Sequence, residues 1–216
     1  MSSLQNQASL RRVRGAATVE ACLPRKALEP PSGADWLHEI KHDGFRILAQ
    51  KDGADVRLIT RNGYNFADRY PLIVDAMARL PVQTCIIDGE AIVVDQSGLS
   101  VFDRLRYRTH DHAATLCAFD MLELNGADVR RTPIEERKRL LARTLHMQHH
   151  GMALNACYDT DGPEIYDYAC ALGCEGIVSK RRGSRYFSGR TDQWLKMKNP
   201  LAPAASRERE VYWAKR

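Results

Sequence analysis

Residues 36–63, WLHEIKHDGFRILAQKDGADVRLITRNG, read as short β-strands broken by tight turns at Asp52-Gly53 and Asn62-Gly63. Asp-Gly and Asn-Gly suit such turns because their central residues adopt positive φ, where glycine has no Cβ to clash. Further along, TCIIDGEAIVVD at 84–95 reads as another β-hairpin, TLCAFDMLELNG at 115–126 as a strand ending in a turn, and GIVSK at 176–180 as a buried strand. Between them, ADRYPLIVDAMARL at 67–80 carries Leu72, Ile73, Ala76, Met77 and Leu80 at helical spacing. IEERKRLLARTL at 134–145 has the same periodicity, opened by Thr132-Pro133 with acidic residues in its first turn, and PEIYDYACALG at 163–173 reads as a helix stopped by Gly173. Strands and helices mix without strict βαβ alternation, which predicts an α+β fold of antiparallel β-sheets flanked by helices.

The 216 residues, 44% hydrophobic and 27% charged, can bury a real core, and the composition excludes wholesale disorder, collagen-like repeats and a disulfide-stapled miniprotein. No apolar run reaches the roughly 18–20 residues of a membrane span and the first twenty residues lack a signal-peptide core, so the expectation is a cytoplasmic protein with no membrane partner. Residues 1–33, with Arg11, Arg12, Arg14 and the Pro30-Pro31-Ser32-Gly33 break, read as a basic arm or loose lead-in. The folded body is expected to begin near Trp36 and to occupy 34–199, leaving 200–216 as a short charged tail. Six cysteines without a CxxC pair read as free thiols.

The net charge of +5 permits a polyanionic partner, and its placement says more. From Lys180 to Lys198, seven basic residues (Lys180, Arg181, Arg182, Arg185, Arg190, Lys196, Lys198) face Asp192 alone, with Tyr186, Phe187 and Trp194 interleaved. Such a mixture supplies both phosphate contact and ring stacking. In WLKMK at 194–198, strand alternation sends Lys196 and Lys198 to one side and Leu195 and Met197 to the other. Glu90 and Glu175, each beside a glycine at the edge of an apolar strand, are hard oxygen ligands of the kind Mg²⁺ takes.

The most informative motif is KHDGFR at 41–46, followed in order by TRNG at 60–63, DGE at 88–90, FD at 119–120, EGIVSK at 175–180 and WLKMK at 194–198. This set resembles the nucleotidyltransferase motifs of ATP-dependent DNA ligases and their relatives, the RNA ligases and mRNA capping enzymes. EGIVSK, the YFSGR segment before WLKMK, and GLSVFDRL after DGE resemble most the bacterial ligases of end-joining repair. The resemblance makes 34–199 an adenylation domain that uses ATP and Mg²⁺ and acts on nicked or broken double-stranded DNA. It implies that Lys41 forms a lysyl-AMP phosphoamide with loss of pyrophosphate, and that Lys196 and Lys198 contact the α-phosphate. Glu39 would read adenine, Phe119 stack on it, Arg46 hold the ribose, and Lys180 belong to the nucleotide site. Glu175 would hold the metal, with Glu90 shared between metal and ribose. Arg61 would hold the 5′-phosphate of the strand to be joined, and Arg181, Arg182, Arg185 and Arg190 would lie on the DNA.

A lysine attacks phosphorus only as the uncharged amine, and cations at Arg46, Lys180, Lys196 and Lys198 converging on the same phosphate would favour that form of Lys41. The resemblance also implies an OB-fold domain after the last lysine motif. Eighteen residues follow Lys198, whereas a five-stranded barrel needs roughly 70, so the expectation is no OB-fold in this sequence and a possible partner chain that supplies it. Two alternatives stand beside this reading: an RNA ligase or GTP-using capping nucleotidyltransferase, and a non-catalytic DNA-end or nucleotide-binding module.

Overall fold

A computed structural model describes residues 19–146 and 150–207. One sheet, in the order β1-β11-β10-β2-β9, joins β1 (Cys22–Lys26), β11 (Gly189–Lys198), β10 (Gly176–Arg181), β2 (Trp36–Ile40) and β9 (Cys157–Tyr158). The other, in the order β4-β3-β5-β6-β7, joins β4 (Asp55–Thr60), β3 (Phe45–Asp52), β5 (Thr84–Ile92), β6 (Thr115–Leu124) and β7 (Ala127–Asp128), with β8 (Met152–Leu154) on the far side of β6. Helices α1 (Pro71–Ala78), α2 (Phe102–Arg106), α3 (Ile134–Thr144) and α4 (Gly162–Ala171) flank them. Strand pairing is antiparallel except at β1–β11 and β6–β8, so the α+β reading describes the fold.

Three expectations change. Within 84–95, where a hairpin was expected, Thr84–Ile92 form a single strand: β5 continues through Asp88-Gly89 between β3 and β6, with a register shift against β6 at that pair. Gly89 is there for close packing, since a Cβ would sit 2.7 Å from a Leu116 methyl and 2.9 Å from the Cys117 carbonyl. Second, the consecutive strands read within 36–63 do not all join one sheet: Asp43-Gly44 carries the chain from one sheet to the other, because β2 and β3 belong to different sheets. A Cβ on Gly44 would lie 2.1 Å from the Ala91 carbonyl, so only glycine permits this crossing, and it leaves Lys41 at the junction.

Third, part of the supposed lead-in is structural. Cys22–Lys26 pairs in parallel with β11 and buries Cys22 completely, so the fold begins well before Trp36. Pro24 and the adjacent charges disguise this strand, but it lies at a sheet edge, where a missing N–H and exposed charges are tolerated. Of the tail, 203–207 is helical and Ala202 and Ala204 are buried; Arg11, Arg12, Arg14 and residues 208–216 lie outside the described residues.

The largest apolar cluster packs α1 against the second sheet through Ile47, Leu58, Ile73, Met77, Ile87 and Leu116. A second holds the sheets together, with Cys22, Leu37 and Trp194 of the first meeting Leu48, Phe119 and Leu122 of the second. Each such fully buried side chain contributes about 1.5–3 kcal/mol. Among the described residues no helix is long and apolar enough to cross a membrane.

Candidate active site

Lys41 follows β2, and its backbone N–H donates to the Gly176 carbonyl at 2.9 Å. Its Nζ donates to Glu175 Oε2 at 2.6 Å, while Lys198 Nζ lies 3.1 Å from Glu175 Oε1. One buried carboxylate thus holds two of the expected catalytic lysines. Gly176 makes this possible: it has φ +139°, and a Cβ there would meet the Met197 carbonyl at 2.0 Å. The neighbour of Lys41 is therefore an anion, where sequence reasoning expected a ring of cations.

Two of those cations are neutralised elsewhere. Arg46 donates to both oxygens of the fully buried Asp88, at 2.5 and 2.7 Å, and to the Cys22 carbonyl at 3.3 Å. Tyr186 Oη donates to Asp88 at 2.6 Å and accepts from the Cys22 N–H at 2.8 Å. This network fastens β1 to β3 and β5, so Arg46, expected at the ribose, also braces the two sheets. Lys180 is buried, its Nζ 2.9 Å from Glu39 Oε1 and 4.4 and 4.1 Å from the ring centroids of Phe119 and Trp194. Burial lowers its pKa, against the pull of Glu39.

Glu39, Phe119, Val178, Lys180, Asn155 and Trp194 enclose a small cavity of about 70 Å³ that also reaches Lys41. Glu39 is 2% exposed and forms ion pairs with Lys138 and Lys180, while Asn155 Nδ2 donates to its Oε2 at 3.3 Å. Burial alone would raise the Glu39 pKa, but the two lysines outweigh it and hold the carboxyl below the usual range. Phe119 serves two environments: its ring borders this cavity, takes Arg46 at 4.5 Å, and packs edge-on to Trp194 in the core. The aspartate beside it, Asp120, is tied by Arg137 at 2.8 and 2.9 Å in a fully buried pair that also bonds the carbonyls of Thr132 and Ser184.

On the other side of Lys41 opens a cleft of about 1320 Å³, bordered by Glu90, Lys196, Arg61, Arg190, Arg25 and Lys26. The stretch from Lys180 to Lys198 is therefore not one face. Lys180, Tyr186 and Trp194 are core, whereas Arg190, Lys196 and the half-exposed Phe187 border the cleft. Arg181 and Arg185 are exposed outside it, and Arg182 lies 3.6 Å from Asp159.

Glu90 sits opposite Arg46 across β3–β5. Burial pushes it up to about 7, with the charges of Lys41 and Arg46 opposing and the carboxylates of Glu175 and Asp88 adding to the rise. No cluster of three or more His, Cys, Asp or Glu ligands occurs among the described residues. Two electrostatically coupled carboxylates still suit Mg²⁺, which keeps several waters and takes its other ligands from phosphates.

Sequence reasoning missed Lys138, Asn155, Asp88, Tyr186 and Arg137. Lys138 and Arg137 look like ordinary charges of an amphipathic helix, and nothing near Asn155 distinguishes it. Asp88 was visible within DGE, but its partner lies 42 residues away.

Comparison with known proteins agrees with this geometry. The family model for the ATP dependent DNA ligase domain matches residues 17–198. The multifunctional non-homologous end joining protein LigD of Pseudomonas aeruginosa is 33% identical over 177 residues, which are 80% of this chain and 21% of that protein. The SPbeta prophage-derived DNA ligase-like protein LigB of Bacillus subtilis is 28% identical over 176 residues, 79% of this chain and 64% of that protein. The chain thus spans about a fifth of the length of the LigD relative. Among solved structures, mycobacterial DNA ligase D complexed with ATP and MES superposes with a TM-score of 0.73 at 29% identity, covering 83% of this chain and 60% of that one. The Chlorella virus DNA ligase-adenylate, 17% identical with a TM-score of 0.60 over 84% of this chain and 68% of that one, shares the fold. Since the family match extends from before β1 to the end of β11, taking in both cavities and the lysine between them, the chain belongs to the ATP-dependent DNA ligase domain family.

Proposed function

We propose that this chain is the adenylation domain of an ATP-dependent DNA ligase that acts in the cytosol in end-joining repair. The observation that carries the reading is the position of Lys41, bordering both the small cavity and the basic cleft, with its Nζ on a carboxylate shared with Lys198. Adenine enters between Phe119 and the polar edge formed by Glu39, Lys180 and Asn155, and Arg46 and Glu90 border the ribose. Lys41 gives up a proton to water and attacks as the free amine: its Nζ bonds to the α-phosphorus, the bond to the bridging oxygen breaks with its electron pair leaving on pyrophosphate, and the nitrogen sheds a second proton to water to give the phosphoamide, while Glu175, ionised throughout, positions the lysine. Lys196 and Lys198 stabilise the charge that develops on the α-phosphate oxygens. Glu90 and Glu175 would hold Mg²⁺, which supplies charge neutralisation at the phosphates. AMP then passes to the 5′-phosphate of a nicked or broken duplex held by Arg61 and Arg190, with Arg181, Arg182 and Arg185 at the flank.

The test is incubation with α-labelled ATP and Mg²⁺ followed by denaturing electrophoresis. The protein should take up label, and Lys41→Ala and Lys41→Arg should abolish it, since arginine stays protonated and cannot attack. Label retained in either variant defeats the assignment.

A further inference from the structure

Strand β1 carries a lysine that belongs neither to the motifs nor to the basic run from Lys180 to Lys198. In the parallel β1–β11 pair Lys26 stands directly beside Lys196, and the Ala27 N–H donates to the Lys196 carbonyl at 3.0 Å, which fixes that register. Directly paired residues of neighbouring strands project to the same face of a sheet. Lys26 is exposed, borders the cleft beside Lys196, and forms no ion pair among the described residues.

The register continues across the sheet: Lys196 pairs with Val178, and Val178 with Glu39. Lys26, Lys196, Val178 and Glu39 therefore form one row over four strands, spanning about 14 Å at the usual 4.8 Å per strand. Glu39 and Val178 border the small cavity, Lys196 lies in the middle, and Lys26 ends the row in the open cleft. A nucleoside triphosphate with its base at Glu39 and its α-phosphate at Lys196 projects its remaining phosphates toward Lys26. Lys41 follows the β2 end of this arrangement, so Lys26 lies across Lys196 from the attacking nitrogen, on the side from which the leaving group departs.

We propose that Lys26 binds the β- and γ-phosphates of ATP and so holds the departing pyrophosphate. The inference rests on the adenylation reading above. Its test is equilibrium binding of α,β-methylene-ATP, AMP and a nicked duplex, in Mg²⁺ buffer, to the wild-type chain, Lys26→Ala and Lys26→Arg. Lys26→Ala should weaken the triphosphate analogue by about fivefold, in the range of a partly exposed charge pair. AMP and nicked-duplex affinities should stay unchanged, and Lys26→Arg should restore analogue binding. An equal loss for AMP, a loss confined to the duplex, or no change overturns the proposal, the second outcome assigning Lys26 to the DNA backbone. A wild-type chain that takes up no label at Lys41 yet binds the analogue in a Lys26-dependent way breaks the adenylation reading and leaves the phosphate contact standing.

Discussion

The two cavities that meet at Lys41 handle charge in opposite ways. Around the small one the buried ions are paired: Glu39 lies against Lys138 and Lys180, and next to it Arg46 holds Asp88 and Arg137 holds Asp120. In the cleft, Arg25, Lys26, Arg61 and Arg190 project into solvent. Buried and mutually bonded ions have fixed positions and can discriminate one base edge from another. Exposed cations are screened by salt, and suit phosphates that arrive with their own counter-ions. On the adenylation reading, the protein would put specificity at the base and tolerance at the phosphates.

This contrast can be broken from the buried side first. Asp120→Ala leaves the Arg137 guanidinium buried without its counter-ion and should cost about 3–5 kcal/mol of folding stability, read as a lower denaturant midpoint; a loss below 1 kcal/mol would show that the site takes up water freely. Phe119→Ala should weaken nucleotide binding by about 1–3 kcal/mol, the range for a base stacked on an aromatic ring. Because that ring also packs on Trp194, calorimetry must show a folded variant for the comparison to count.

Glu90 stands between the two regions and supplies a pH test. Its carboxyl is raised to about 7 in the folded chain from 4.5. Between those values the folded state binds more protons than the unfolded, so this group lowers stability as pH rises through that window and restores it as pH falls. Metal binding has the opposite sign, since the ligand must be ionised. At subsaturating Mg²⁺, labelling of Lys41 should fall several-fold from pH 8 to pH 6, and Glu90→Gln should flatten that part of the profile. An unchanged profile in the variant would remove Glu90 from the metal site. The smallest effect is expected in the cleft. The affinity for nicked duplex should fall with salt at a log–log slope of about 3–5, Arg61→Ala should reduce it by about 1, and labelling of Lys41 should remain intact.

Much of the site was legible because its signals are local. A lysine two residues before Asp43-Gly44, a glutamate just before Gly176, and lysines alternating on an apolar strand each declare a backbone requirement and a chemistry within six residues. The helices at 71–78, 134–144 and 162–171 were legible by periodicity, β3, β4, β6 and β10 by short apolar runs between turn signals, and the end of β11 by the alternation in WLKMK. Asp88-Gly89 misled because glycine has two uses: the pair has the composition of a turn, while Gly89 answers to Leu116 and the Cys117 carbonyl on a neighbouring strand. Cys22–Lys26 was hidden because an edge strand carries proline and charge without penalty.

By itself, then, the sequence determined the α+β class and the order of the motifs, and it is the resemblance of those motifs to the ligase set that singles out Lys41, Glu175, Lys196 and Lys198. Tertiary structure decided which charges remain available. Arg46, Lys180 and Arg137 look as free as Arg61 in a string of letters, yet the first three are matched by Asp88, Glu39 and Asp120 from distant strands while Arg61 borders an open cleft. The same pairing of strands brought Lys26 beside Lys196, 170 positions apart in the chain. The physical reason is that desolvation and Coulomb energy depend on what lies across a few ångströms of space, and that neighbourhood exists only once the two sheets have closed on each other.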